Sequence, residues 1–178
     1  MCALYTLGMK PNYARVLGAS VAALYFLHAA STPKDWHFFD GIDLIFHEAG
    51  HTIFSFFGEF IDVLMGSGFQ VLLPLLISVY FFYTRQNFAG SLTLMWVGQS
   101  FINVSVYAGD AQVMQLPLLG VDAAMHDWNY LLSTLQALPY TSVVATALYD
   151  FGLLFILGGI ALACLSLTTS DTSYSTQK

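Results

Sequence analysis

Long apolar runs separated by short polar breaks dominate this chain. Residues 13–30, 69–84, 89–108 and 142–167 each approach or exceed the length of about 20 mostly apolar residues that a helix needs to cross a bilayer core. Residues 41–64 follow a different rule. At about 100° per residue, Asp40, Asp43, His47, Glu48, His51, Ser55, Glu59 and Asp62 fall on one half of a helix, and Ile42, Ile45, Phe46, Ala49, Ile53, Phe56, Phe57, Phe60 and Ile61 on the other. Read as one helix, this is a further span. Its polar half must face protein or a water-filled cavity, because a charged group at the bilayer centre costs a few kcal/mol or more. The alternative is a helix lying on the membrane surface, but such helices carry Lys and Arg on the polar side and this one has none.

The run at 89–108 carries a second polar stripe. Thr93, Gln99, Ser100, Asn103, Tyr107 and Asp110 project to one side at the same period, which predicts two helices facing each other across a polar site. Gly66-Ser67-Gly68 reads as the turn between the second and third spans. Residues 109–139 are too polar to cross, and the Ser/Thr-rich residues 168–178 read as a disordered tail. The expected fold is all-α: a multi-pass transmembrane helical bundle of about five spans, forming a single domain over residues 1–167. The first span follows Lys10 and Arg15 as a signal sequence would. However, His28 fits poorly before a cleavage point, so a retained span is expected.

Composition agrees with the pattern. Only 9% of residues are charged, against the roughly 25% that a soluble protein uses to cover its surface. The bilayer is therefore the expected partner, and the cell (inner) membrane the expected location. Five Lys+Arg against eleven Asp+Glu leave no basic patch to neutralise phosphates, which argues against nucleic acid. Cys2 and Cys164 lie near opposite ends of the chain, outside any C-x-x-C pattern, so a metal would have to use His and carboxylate ligands.

Such ligands are present. His47-Glu48-Ala49-Gly50-His51 is an H-E-x-x-H run, which on a helix aims two imidazoles one turn apart at a single Zn²⁺. Glu48 is then placed to take a proton from a water that the metal activates. A catalytic zinc commonly has three protein ligands. Among the other histidines His28 reads as packed or interfacial and His37 as part of an aromatic interface loop. His126 is the best histidine candidate, within His126-Asp127-Trp128-Asn129, with Asp127 as an orienting partner. Asp110, which shares a helix face with Asn103, and Asp150, inside the last span, are the carboxylate alternatives.

The motif within a hydrophobic segment, with a polar helix following it, resembles the multi-pass membrane zinc metalloproteases of the site-2 protease kind over roughly residues 40–110. The resemblance implies His47 and His51 as zinc ligands, Glu48 as the group that activates water, and a third aspartate ligand in an Asn-Pro-Asp-Gly-like motif. This chain has no such motif; Asn103 and Asp110 are its nearest analogue, at a different spacing. The chain also resembles small bacterial membrane proteins that pair H-E-x-G-H with a later His-Asp-Trp, which points to His126. The expected function is intramembrane hydrolysis of peptide bonds in membrane proteins. The alternatives are a zinc-dependent lipid hydrolase and a non-enzymatic metal-binding or transport protein.

Overall fold

The computed structural model describes residues 12–116 and 126–168, and these form helices and turns with no strand among them. The helices are α1 (Tyr13–Ser31), α2 (Phe38–Phe54), α3 (Glu59–Tyr83), α4 (Asn87–Gly109), the short α5 (Asp127–Thr134) and α6 (Thr141–Thr168). Three stretches are long and apolar enough to cross a membrane: α1, α3 and the stretch Leu138–Leu167, which contains nearly all of α6. Their outer faces carry exposed Leu17, Val21, Leu24, Leu72, Leu76, Val79, Leu154 and Leu157, as lipid-facing helices would. The expected tail lies almost wholly outside the described residues, as does Cys2.

The structure redraws the second and third spans. The polar pattern over residues 40–62 is not one helix. The chain reverses at a 3-10 turn, Ser55–Phe57, followed by Gly58 at φ +94°, a conformation that side-chain-bearing residues rarely adopt. The expected turn at Gly66-Ser67-Gly68 lies inside α3 instead. Glycines mark close helix contacts as well as turns, and Gly66 serves the first purpose, facing the His47 and His51 rings of α2. A Cβ on Gly50 would stand 2.0 Å from the Met65 carbonyl oxygen, so α2 and α3 touch backbone to backbone at this level.

Helix directions follow from the packing. Arg15 and Gly18, at the start of α1, both meet Phe88 at the start of α4. The Ala30 carbonyl, near the end of α1, accepts from Tyr149, one turn from the Ala145 that meets Gly109 at the end of α4. Helices α1 and α4 therefore run the same way. Helix α3 runs against α4, with Ser78 bonded to the Gly90 carbonyl and Gln70 to Asn103. Helix α6 also runs against α4, Ala145 meeting Gly109 and Gly159 meeting Met95. Since α1 ends and α3 begins at the same end of the bundle, α2 starts and finishes there. It spans about 25 Å from its 17 residues and turns its polar side to α4.

Helix α4 is the enclosed centre. It buries Gly90, Met95, Val97, Gly98, Ile102, Val104 and Ala108, and its polar Ser91, Gln99, Ser100 and Ser105 as well. Its tightest neighbour is α6, where Gly98 and Gly152 each leave no room for a Cβ against the other's carbonyl. The polar stripe of α4 meets that of α2 as the sequence pattern predicts. Trp96 Nε1 donates to Asp43 Oδ1 at 2.9 Å, Ser100 donates to the same oxygen at 3.1 Å, and Gln99 and Asn103 donate to Asp40.

Candidate metal centre

Three side-chain atoms converge where α2, α3 and α5 meet. His47 Nε2 lies 2.9 Å from Asp127 Oδ2 and 3.1 Å from His51 Nε2, and His51 Nε2 lies 3.2 Å from the same Asp127 oxygen. The two imidazoles come from adjacent turns of α2, as their four-residue spacing requires. Asp127 opens α5 and reaches them across eighty residues of chain. These three are the metal-competent group found among the described residues.

Tautomer chemistry says what the cluster can hold. His51 Nδ1 lies 3.0 Å from the Asp62 carbonyl oxygen, which only accepts, so the ring proton sits on Nδ1. Nε2 then faces His47 and the Asp127 carboxylate. Burial alone would push Asp127 up, but its contacts with His47 and His51 outweigh this and hold it below the usual carboxylate range, so its oxygen is anionic at neutral pH. Without a metal, the hydrogen bond from Asp127 raises His51 to about 9, so a proton on Nε2 bridges imidazole and carboxylate; a metal cation would take that proton's place. With Zn–N and Zn–O bonds of about 2.0–2.2 Å, tetrahedral ligand atoms stand about 3.3 Å apart, close to the spacing found here. The donor set, two imidazole nitrogens and one carboxylate oxygen, also suits zinc.

The supporting contacts are specific. Asp62 Oδ1 adds a second contact to His51 Nδ1 at 3.3 Å. Tyr107 Oη accepts the Asp127 backbone N–H at 3.1 Å, and its ring packs edge-on against His47. Trp128 Nε1 donates to Ser67 Oγ at 3.0 Å, and Asn129 Nδ2 to the Ala111 carbonyl at 2.8 Å, so the first turn of α5 is tied to both α3 and the end of α4. Glu48 is exposed beside this cluster and interacts electrostatically with Tyr107.

Gly66 leaves the metal-facing side open. A Cβ there would stand 2.5 Å from His51 Nε2 and 2.8 Å from His47 Nε2, inside the space a coordinated ion needs. Gly66→Ala is expected to lower zinc affinity by at least about tenfold while helix content by circular dichroism stays near wild type. Wild-type affinity in this variant would show that the imidazoles can move aside.

The other sequence candidates lie elsewhere. His126 does not join the cluster; its Nδ1 accepts the Asn129 N–H at 3.2 Å as the cap of α5, and its Nε2 lies 3.4 Å from Asp110 Oδ2. Asp110 in turn accepts the backbone N–H groups of Gln115 and Leu116. Asn103 joins Gln70 and Asp40. Asp150 is exposed on α6, His37 caps α2, and His28 packs against His37. Asp62, Gly66 and Tyr107 were not singled out for the site by sequence. The first was placed on the wrong helix by the uninterrupted polar pattern, the second was read as a turn, and the third was one member of a stripe. Comparison with family models, curated proteins and solved structures found no match.

Proposed function

We propose that this protein is a membrane-embedded zinc hydrolase, acting on peptide bonds of membrane proteins. The observation that carries the reading is the convergence of His47, His51 and Asp127 at separations of 2.9–3.2 Å, with Glu48 adjacent in sequence to the first ligand. His47, His51 and Asp127 would hold the metal, and Asp62 would keep His51 Nε2 turned toward it. Bound zinc would lower the pKa of a water toward about 7 and polarise a carbonyl. Glu48 is the residue placed to accept a proton from such a water and to return one to the leaving amine. Tyr107 holds the Asp127 backbone, so that the carboxylate keeps its aim.

Helix α4 crosses the membrane with α1, α3 and α6 in this reading, shielded from lipid by its neighbours, while α2 enters and leaves on one side. The site is then shallow. Asp62 and Gly66 lie three and seven residues into α3, which begins at Glu59, or about 5 and 10 Å from its end. That depth lets water reach the metal without a long channel, and a substrate helix need fray by only a turn or two to expose its carbonyls. It also supports a second reading, hydrolysis of a lipid ester or amide, because lipid carbonyls sit near the same level.

Elemental mass spectrometry on detergent-purified protein tests the metal. About one zinc per chain is expected, falling to a trace in His47→Ala. A folded wild type that takes up no zinc when supplied with it would end the hydrolase reading in both forms.

A further inference from the structure

Away from the metal cluster, α2 presses a second pair of acids against α4. Asp40 and Asp43 stand one turn apart, 5% and 0% exposed. Around Asp43, α4 presents Trp96 and Ser100 and α3 presents Gln70, all neutral, and the charged neighbour is Asp40 itself. His37 interacts favourably with Asp40 and can offset one negative charge, but two carboxylates charged together in so enclosed a place would leave the second without the countercharge that buried ions require.

The hydrogen bonds distinguish the two acids. Asp40 accepts on both oxygens, from Gln99 and Asn103 on Oδ1 and from the His37 backbone N–H on Oδ2, as an ionised carboxylate does. Asp43 accepts twice on Oδ1, from Trp96 and Ser100, whereas its Oδ2 is buried with no partner among the described residues. That is the pattern of a carboxylic acid, whose carbonyl oxygen accepts and whose hydroxyl donates. A second buried atom in the same cluster also lacks a partner: Gln99 Oε1, an acceptor. The amide cannot be turned round to relieve it, because its nitrogen is committed to the Asp40 carboxylate. The Gln70 amide of α3 also interacts with Asp43, but no hydrogen bond satisfies either leftover oxygen. A hard metal ion would need about six or more oxygen ligands, and only these two oxygens are left over.

We propose that Asp43 is a proton-binding site, a neutral carboxylic acid carrying its hydrogen on Oδ2. One proton then removes one of two enclosed negative charges. The site locks α2 to α4 by a contact separate from the metal cluster, which faces α3 and α5. It does not depend on zinc or on hydrolysis, so it stands or falls independently of the proposed function.

Infrared spectroscopy of the purified full-length protein at neutral pH tests it. The expected spectrum contains the carbonyl stretch of a protonated carboxyl group. That band should be lost in Asp43→Asn and kept in Asp40→Asn. The Asn variant is neutral and keeps an oxygen for Trp96 and Ser100, so Asp43→Asn is expected to fold with a melting temperature near wild type. Absence of the band in folded wild type overturns the proposal, as does its loss in Asp40→Asn instead. So would failure of Asp43→Asn to fold, since a neutral isostere should be tolerated. Wild-type thermal stability that rises with sodium chloride but not with choline chloride would also overturn it, by assigning the charge compensation to a metal cation.

Discussion

Asp127→Ala is expected to strip the protein of zinc, while His126→Ala, one residue away, is expected to keep most of it. Structural zinc binding is worth about 10–16 kcal/mol at neutral pH, or about 3 kcal/mol for each of four ligands. Loss of one ligand therefore weakens binding by about a hundredfold or more. Asp127 provides the oxygen that stands 2.9 Å from His47 Nε2 and 3.2 Å from His51 Nε2. His126 provides an N-terminal cap, worth about 0.5–2 kcal/mol of local stability, and a contact to Asp110 that steadies the segment. Its removal should cost about tenfold in zinc affinity through looser aim of Asp127. Competition against a chromophoric chelator measures both variants in one experiment. If the order is reversed, with His126→Ala losing the metal, the geometry of the loop before α5 differs in the loaded protein and the ligand assignment falls.

How far the sequence foretold this arrangement varies with the kind of signal. His47 and His51 were legible because their spacing within one helix fixes their geometry, and nothing tertiary is needed to bring them together. The facing polar stripes of α2 and α4 were legible for the same reason, periodicity being a local property. The five-span reading was not sustained; three stretches meet the length and apolarity needed to cross, and α2 begins and ends at one end of the bundle. The polar pattern continues in phase through Ser55 and Gly58, so the break depended on a single glycine's positive φ, which composition cannot show. The choice between His126 and Asp127 depended on which side of a cap each residue falls. In a sequence these two are neighbours with equally good ligand chemistry. In the fold, the cap turns His126 inward toward Asp110 and sends Asp127 toward α2.

The position of the site at one end of the bundle has a physical logic. A metal ligand set with an anionic carboxylate is costly in the hydrocarbon core and much less so within a turn or two of the surface. The buried part of α2 is instead given to Asp40 and Asp43, whose demands α4 meets with Trp96, Gln99, Ser100 and Asn103. One helix thus carries two polar clusters on one side, and α3 and α4 divide them. The close approach of Gly50 to α3 holds the first, and the α4 stripe holds the second.

Glu48→Gln is expected to abolish hydrolysis while zinc stays bound. Glutamine matches glutamate in size but cannot take a proton at neutral pH, and Glu48 is not among the three converging atoms, so the metal content should remain about one per chain. General acid–base catalysis is worth about 10²–10⁴-fold, and the same carboxylate would serve in both proton transfers, so a fall toward the upper end of that range is expected. The assay pairs zinc-loaded wild type and variant in liposomes, on a panel of single-pass transmembrane peptides and, separately, on the phospholipids of the vesicle. Peptide products made by wild type and missing from the variant would support the protease reading, and released fatty acid or headgroup the lipid-hydrolase reading. Equal turnover by both proteins would remove Glu48 from the chemistry. Zinc-loaded wild type that cleaves neither class would leave the cluster a role in holding or moving metal, for which the exposed carboxylate beside it would be an entry point rather than a base.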